Sequence, residues 1–399
     1  MNLDSWLLIL LSSYLDSWFL ILLSSYLESW FLVLSSSSLF PMIYYTILGI
    51  LSIAAVIPAR DSDRRFNLFL FGGLALALLL FAGFRHYTGF DYLNYLNIYR
   101  SQFSQWVVWT IEPIPRLLMN FSAWSGIGYA GFLFIMALLS VGLKSAFLAR
   151  WSVLPVLSLL LYFSRTFLLA DFGQIRQGLA LAVVLFAWPL ILKGELKKFI
   201  FLILAAALIH ISAIFFLLVY WFARRRFSVP QMLLMVALAI PFAFIDFKTI
   251  FLDALAPVLP PFFSTKLAYY TATESDTRLG LTFSMILRVG ILLICLLLQR
   301  DNFFENDEKR SVLNIYLFGV LFYIVFNSFP QIGNRGSFYF QQFELLLIPL
   351  ILIHFKDHIN RAIFFLFIVV YCYWGVNTVI SLQPDTFVPY QSLLIKEIF

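Results

Sequence analysis

"FIFLILAAALIHISAIFFLLVYW", Phe199 to Trp221, decides how this chain is threaded. About 20 apolar residues cross about 30 Å of hydrocarbon as a helix, so the stretch is long enough for one crossing. Yet Lys193, Lys197 and Lys198 precede it, and Arg224, Arg225 and Arg226 follow it. Basic clusters mark the cytoplasmic ends of membrane helices. A single crossing therefore puts one of the two clusters on the wrong side. In the middle of the run stands His210, with Ser212 two residues on. If the chain enters, turns near His210 and returns, both clusters stay on one side. Each arm is then about eleven residues, roughly 16 Å at 1.5 Å per residue, enough to reach mid-membrane. Such a turn persists only where protein or a wet cavity covers its backbone. We therefore expect a re-entrant or broken segment over 199–222.

The rest of the chain supports a membrane reading. Of its 399 residues, 62% are hydrophobic and 12% charged, with a mean hydropathy of +0.91. Soluble domains are roughly 45–50% apolar and about 25% charged. Apolar runs recur near 43–57, 67–84, 125–142, 152–170, 177–192, 199–222, 229–247, 282–299, 311–329, 340–355 and 361–380. These imply an all-α polytopic membrane protein with about 10–12 transmembrane helices; the short alternating strands of a barrel are absent. The net charge of +6 sits in short clusters between the runs, which fits positive-inside topology better than nucleic-acid binding. Cys295 and Cys372 both lie inside apolar runs and read as small buried residues, neither a disulfide nor a metal pair.

The first forty residues repeat with a period of twelve: "LDSWLLILLSSY", "LDSWFLILLSSY", "LESWFLVLSSSS". Twelve residues at 100° each rotate the motif by about 120° per repeat, so Asp4, Asp16 and Glu28 build no common face. Residues 1–41 therefore read as a genetic repeat ahead of the working protein, with Met42 as its start. The multi-pass domain is expected over 42–380, followed by an outward-facing tail over 381–399.

With Arg60, Arg64, Arg65, Lys144, Arg150 and the later clusters inside, the outward side receives four segments. They are the long loop 85–124, the loop near 165–176, the loop 248–281 and the turn "PQIGNRGSFYF" at 330–340. Arg85, Arg165, Arg176, Arg278, Arg288 and Arg335 fall on or near that face, which is normally poor in arginine. A guanidinium stays charged and binds phosphate oxygens bidentately; an isolated one also serves as a snorkelling anchor. Arg176, at a helix entrance in "FGQIRQGLALAVV", and Arg335, in a Gly-flanked turn, best suit the first role. His210, deep in an apolar run, is a functional residue by default, as a proton acceptor or a holder of a hydroxyl; its other role is a hydrogen bond between helices. Asp91 either pairs with Arg85 or acts as a base, and Glu112 in "TIEPIPRLL" is the second candidate base. Tyr92 and Tyr95 offer flat faces to sugar rings or sit in an interfacial belt. No metal-ligand spacing, Walker sequence or Gly-x-Ser-x-Gly appears, so no metal or cofactor is expected, nor ATP-driven transport or serine hydrolysis.

Taken in order, "RHYTGFDYLNY" at 85–95, Glu112-Pro113, "IRQ" at 175–177, "IHISA" at 209–213 and the late Arg335 resemble the EpsG family. These are Wzy-like polymerases of exopolysaccharide and O-antigen repeat units. The resemblance covers about residues 42–380, and the N-terminal repeat has no counterpart in it. It implies transfer of a growing glycan from undecaprenyl diphosphate to another lipid-linked repeat unit, on the outer face of the bacterial cytoplasmic membrane. On that pattern Arg176 and Arg335, with Arg85 and then Arg165 and Arg278, hold the diphosphate. Asp91, His210 and Glu112 supply the base or position the hydroxyl, and Tyr92 and Tyr95 hold sugar. Membrane lipids, a chain-length regulator and a flippase of the same pathway are the implied partners, with no nucleic acid. Rival readings of the same features are a flippase for lipid-linked sugars, an O-antigen ligase, a single-sugar glycosyltransferase or a structural subunit.

Overall fold

The computed structural model describes residues 42–56, 64–101, 111–246, 279–299 and 302–394. The tandem repeat, most of the loop 248–281 and Arg278 lie outside the described residues. The described chain is helical, apart from two two-residue strands. Four helices are long and apolar enough to cross a membrane unaided: Arg64–Gly83, Gly128–Trp151, Ile175–Lys193 and His358–Leu382. Ile332–Gln341 and Glu344–His354, a pair bent by 46°, are long and apolar enough only together, as a broken span or a re-entrant loop. Met42–Val56, Ile211–Ala223, Val229–Phe244 and Phe283–Gln299 are shorter apolar helices. The chain is a multi-pass, all-helical membrane protein, and several of its apolar runs are divided into shorter pieces.

Helices dominate because a backbone in hydrocarbon must satisfy its own hydrogen bonds. Their inner faces follow the helical period. Arg64–Gly83 buries Phe71, Ala75, Leu78, Leu79 and Ala82, one stripe along its length. Small residues set the closest approaches, as in other membrane bundles. A Cβ at Gly83 would lie 2.7 Å from the Phe134 ring on Gly128–Trp151.

The expected fold-back is present. The Phe199 ring lies 6.2 Å from that of Phe216 and 4.9 Å from that of Tyr220. Along one straight helix, Phe199 and Tyr220 would be about 30 Å apart. The first arm is Leu196–Ala207. The chain then turns at His210, whose backbone is extended at φ −154° and ψ 119°, and returns as the 3-10 helix Ile211–Leu218 and the short helix Val219–Ala223. At the base, the Arg224 guanidinium packs over Gly194, 3.2 Å from where a Cβ would stand. The basic clusters at 193–198 and 224–226 thus share one end of the bundle.

Three local expectations are corrected. "PQIGNRGSFYF" is no turn: Pro330–Gln341 is a twelve-residue helix. Proline suits a first helical turn, where no N–H is needed, and Gly333 and Gly336 bring the helix against the Phe326 carbonyl and the Phe322 ring. The segment near 165–176 is mostly the π-helix Phe163–Asp171, so Arg165 lies within a helix. Lys144 is no marker of the cytoplasmic surface. It is fully buried and ion-paired with Asp171 at 2.8 Å.

The C-terminal tail is built onto the segment that follows Arg64–Gly83. Gln391–Ser392 pairs antiparallel with Arg85–His86, with Arg85 opposite Ser392. The Gly89 N–H donates to the Thr386 carbonyl at 2.7 Å. Gly89 itself has φ +105°, and a Cβ there would sit 2.3 Å from the Phe172 carbonyl oxygen. Only glycine permits both that conformation and that approach. This contact seats the loop that carries Asp91 against the turn that precedes Arg176.

Candidate active site

Three segments meet at one carboxylate, Glu112, and a fourth, carrying Tyr95, joins them through Arg176. It is the N-cap of the helix Pro113–Trp124, and the Ile114 N–H donates to the Leu208 carbonyl at 3.2 Å. That bond docks the helix start onto the tip of the re-entrant hairpin. Glu112 Oε1 lies 3.0 Å from His210 Nδ1 and accepts from the Ile211 N–H at 3.4 Å. Its Oε2 accepts from Arg176 Nη1. The second residue of the helix Ile175–Leu185, Arg176 also donates from Nε to the Tyr95 hydroxyl at 3.1 Å. Its guanidinium lies 5.6 Å from the Tyr95 ring centroid. An ionised carboxylate accepts only, so Nδ1 of His210 carries a proton; in the neutral ring, Nε2 is then the acceptor.

The bent pair supplies the other wall. Arg335 lies within electrostatic reach of Asp91, His210 and Tyr339. Gln177, next to Arg176, donates Nε2 to the Arg335 carbonyl at 2.9 Å. The Ser212 and Tyr339 hydroxyls meet at 3.0 Å. These two bonds tie the arginine-bearing helices and the hairpin tip into one frame. The Arg176, Glu112 and His210 side chains keep 20%, 16% and 10% of their surface exposed, so the cluster is recessed but open.

The two carboxylates are tuned apart. Burial pushes the Asp91 carboxyl above the usual aspartate range, against the opposing charges of Arg335 and Arg176. Burial acts the same way on Glu112, but there the hydrogen bond from His210 and the charge of Arg176 prevail and hold its carboxyl down at about 2. Glu112 therefore stays ionised as the counter-ion of the cluster. Asp91 is the carboxylate better matched to accepting a proton, because a base works best when its pKa approaches the working pH.

Of the residues singled out from the sequence, Asp91, Tyr95, Glu112, Arg176, His210 and Arg335 gather here. Arg85, Arg165 and Tyr92 stand elsewhere. Arg85 is buried, donates to the Ala82 carbonyl at 2.7 Å and lies 5.2 Å from the Phe172 ring centroid. Asp91 faces Arg335 and Arg176 instead of pairing with Arg85. Arg165 binds Glu344 at 3.3 Å and covers the Tyr371 and Trp374 rings at 4.5 and 5.3 Å. Tyr92 is buried, with its hydroxyl 3.2 Å from His86 Nδ1. Sequence reasoning missed Gln177, Tyr339, Glu344 and Asp171. Gln177 had a signal, a second polar residue beside Arg176 in an apolar helix. Tyr339 falls four residues after Arg335, a helical spacing that a turn assignment concealed. Among the described residues, no three His, Cys, Asp or Glu side chains converge as metal ligands would.

Fold and site together define a multi-pass helical membrane protein that gathers two arginines, two carboxylates and a histidine at the tip of a re-entrant hairpin. Residues 68–392 match the EpsG family, and the chain belongs to that family. It is similar to the amylovoran biosynthesis protein AmsC of Erwinia amylovora, with 27% identity over 324 residues, covering 77% of this chain and 84% of that protein. No solved structure matches it.

Proposed function

We propose that the chain is a polysaccharide polymerase that joins lipid-diphosphate-linked oligosaccharide repeat units on the outer face of the bacterial cytoplasmic membrane. The observation that carries this reading is the cluster of Arg176 and Arg335 beside Asp91. Membership of the EpsG family and likeness to a protein of amylovoran biosynthesis support a role in exopolysaccharide assembly.

In this reading, an acceptor sugar hydroxyl attacks the anomeric carbon of the donor. The new glycosidic bond forms as the bond from that carbon to the diphosphate oxygen breaks. The electron pair leaves with the lipid diphosphate, and the hydroxyl proton passes to Asp91. Negative charge grows on the leaving oxygen, where fixed guanidiniums stabilise it without reorganising. Two of the five N–H donors of Arg176 serve Glu112 and Tyr95, which aim the fork while other donors address an oxyanion. His210, oriented through Nδ1 by Glu112, presents Nε2 as an acceptor for a sugar hydroxyl.

Deleting the gene in its host and separating the surface glycan by size tests the reaction class. A polymerase mutant keeps single repeat units and loses the long-chain ladder. A mutant that accumulates units inside, with none outside, would instead identify a flippase. An unchanged ladder in Arg176→Ala and Arg335→Ala together sinks the site assignment.

A further inference from the structure

Two apolar grooves of similar size open on the outside of the bundle, and they differ in what they adjoin. One, of about 450 Å³, runs between Arg64–Gly83 and Gly128–Trp151 along Phe71, Gly72, Ala75, Gly142 and Ala146. The other, of about 440 Å³, lies between the two arms of the re-entrant hairpin, along Phe201, Leu204, Ala205, Leu208, Ile211 and Ile214. The first arm turns Phe199, Ile203 and Ala206 to the core and gives its opposite face to this trough. Phe201, Leu208 and Ile211 remain 76%, 50% and 59% exposed.

The hairpin trough ends at the charged cluster. Leu208 accepts the Ile114 N–H, and Ile211 donates to Glu112 Oε1, so two lining residues are hydrogen-bonded to the segment that carries Glu112. His210 stands between them. One end of the trough is therefore a site with arginines and carboxylates, and the rest is hydrocarbon. That is the outline of an amphiphile with an anionic head and an apolar chain.

We infer that this trough seats the hydrocarbon chain of the lipid-linked substrate, with its diphosphate delivered to Arg176. The inference rests on the polymerase reading for the identity of the head group. Chain length then contributes to substrate affinity through van der Waals packing along the trough, since lipid tails are as apolar as the groove and no water is displaced, and the sugar contacts are independent of it.

The test uses the full chain reconstituted in liposomes, with the same repeat unit linked through diphosphate to a long polyprenol or to a chain cut to two isoprene units. Ala205→Trp fills the trough, and Ala146→Trp fills the groove remote from the cluster. Ala205→Trp is expected to raise KM for the long-chain substrate by about tenfold or more, through the packing contacts it removes. The short-chain substrate should stay within about twofold of wild type, and Ala146→Trp should change neither, since the packing contacts scale with the length of chain that lies in the trough. The inference is overturned if Ala205→Trp leaves the long-chain KM unchanged, weakens both substrates equally, or is matched by Ala146→Trp. The wild-type chain gives a second measurement that needs no variant. A long-chain substrate carrying a diazirine near the diphosphate should label the peptide 196–214 and be displaced by unlabelled substrate. Labelling spread over the whole lipid-facing surface means bulk lipid contact and defeats the inference. Wild-type protein that elongates neither substrate defeats the polymerase reading, and photolabelling then decides the trough alone.

Discussion

Five positions separate Asp171 from Arg176, and each belongs to a cation–carboxylate pair, but the two pairs are opposites in solvation. Asp171 accepts from Lys144 on both oxygens, at 2.8 and 2.9 Å, from Ser140, and from the Tyr162 hydroxyl at 2.7 Å. Neither charged side chain reaches solvent. Even Gly178 is fitted to it, since a Cβ there would stand 2.9 Å from Asp171 Oδ1. The Arg176–Glu112 pair is partly exposed and shared with Tyr95 and His210. Arg165 and Glu344 lie between the two, with 10% and 4% of their side chains exposed and Tyr371 and Trp374 packed on them. A buried ion pair whose hydrogen bonds are all made holds helices in register. An open one with donors to spare can exchange its partner for a ligand. The same residue types thus serve as clamps or as a site, according to what the neighbours leave unfilled.

This contrast predicts which properties separate. The largest effect falls on the proton acceptor. Asp91→Asn should lower turnover by about 10²–10⁴ while leaving the melting temperature in detergent near wild type. In the intact protein, kcat/KM should fall as pH drops through the Asp91 pKa, which burial places above 3.8. An acid limb that persists unchanged in Asp91→Asn breaks the assignment.

Next comes the sealed pair. Lys144→Met leaves Asp171 charged and buried, and should cost about 3–5 kcal/mol of stability. The expected signature is loss of folded protein, read by thermal unfolding, with little change in the KM of whatever survives. Arg176→Ala should do the reverse, lowering turnover by about 10²–10³ as the loss of a charge-stabilising donor does. Arg176→Lys should recover only part of that, because a point charge cannot replace the fork. If Lys144→Met proves stable and inactive while Arg176→Ala unfolds, the distinction between clamp and site is inverted.

The smallest effect is on acid stability. Glu112 is held at about 2 against an ordinary 4.5. A depressed carboxylate pKa adds stability above the unfolded value, and that stability is lost as pH falls from about 4.5 toward 2. Glu112→Gln should flatten this part of the stability curve measured by thermal unfolding. An equally steep loss in the variant would show that other carboxylates govern the window.

Much of the frame was legible along the chain. Two basic clusters around one apolar run sufficed to expect the fold-back at His210, because charge placement and run length are local properties. Glu112 and His210 stood out as ionisable residues in apolar stretches, Arg176 and Arg335 as arginines on a face expected to be poor in them, and Asp91 as a carboxylate in the polar stretch after Arg85; the structure brings all five together. Arg85 and Arg165 stood out as arginines on the same expected face and lie elsewhere, since an arginine packed among aromatic rings and one in an open cluster look alike in one dimension. The helix Pro330–Gln341 was hidden by its proline and glycines, which suggest a turn until the packing of Gly333 against Phe326 and of Gly336 against Phe322 is seen.

By itself, then, the sequence determined a multi-pass helical membrane protein, the place of its fold-back and the stock of ionisable groups. Hydropathy, charge asymmetry and helical period act over a few turns, so they can be read without a partner. Only the tertiary structure decided who pairs with whom. Arg176 meets Glu112 across 64 residues and Arg165 meets Glu344 across 179. Such partners are chosen by how the helices stack in depth and rotation, and by whether a neighbouring tyrosine, serine or glycine closes the last gap to water.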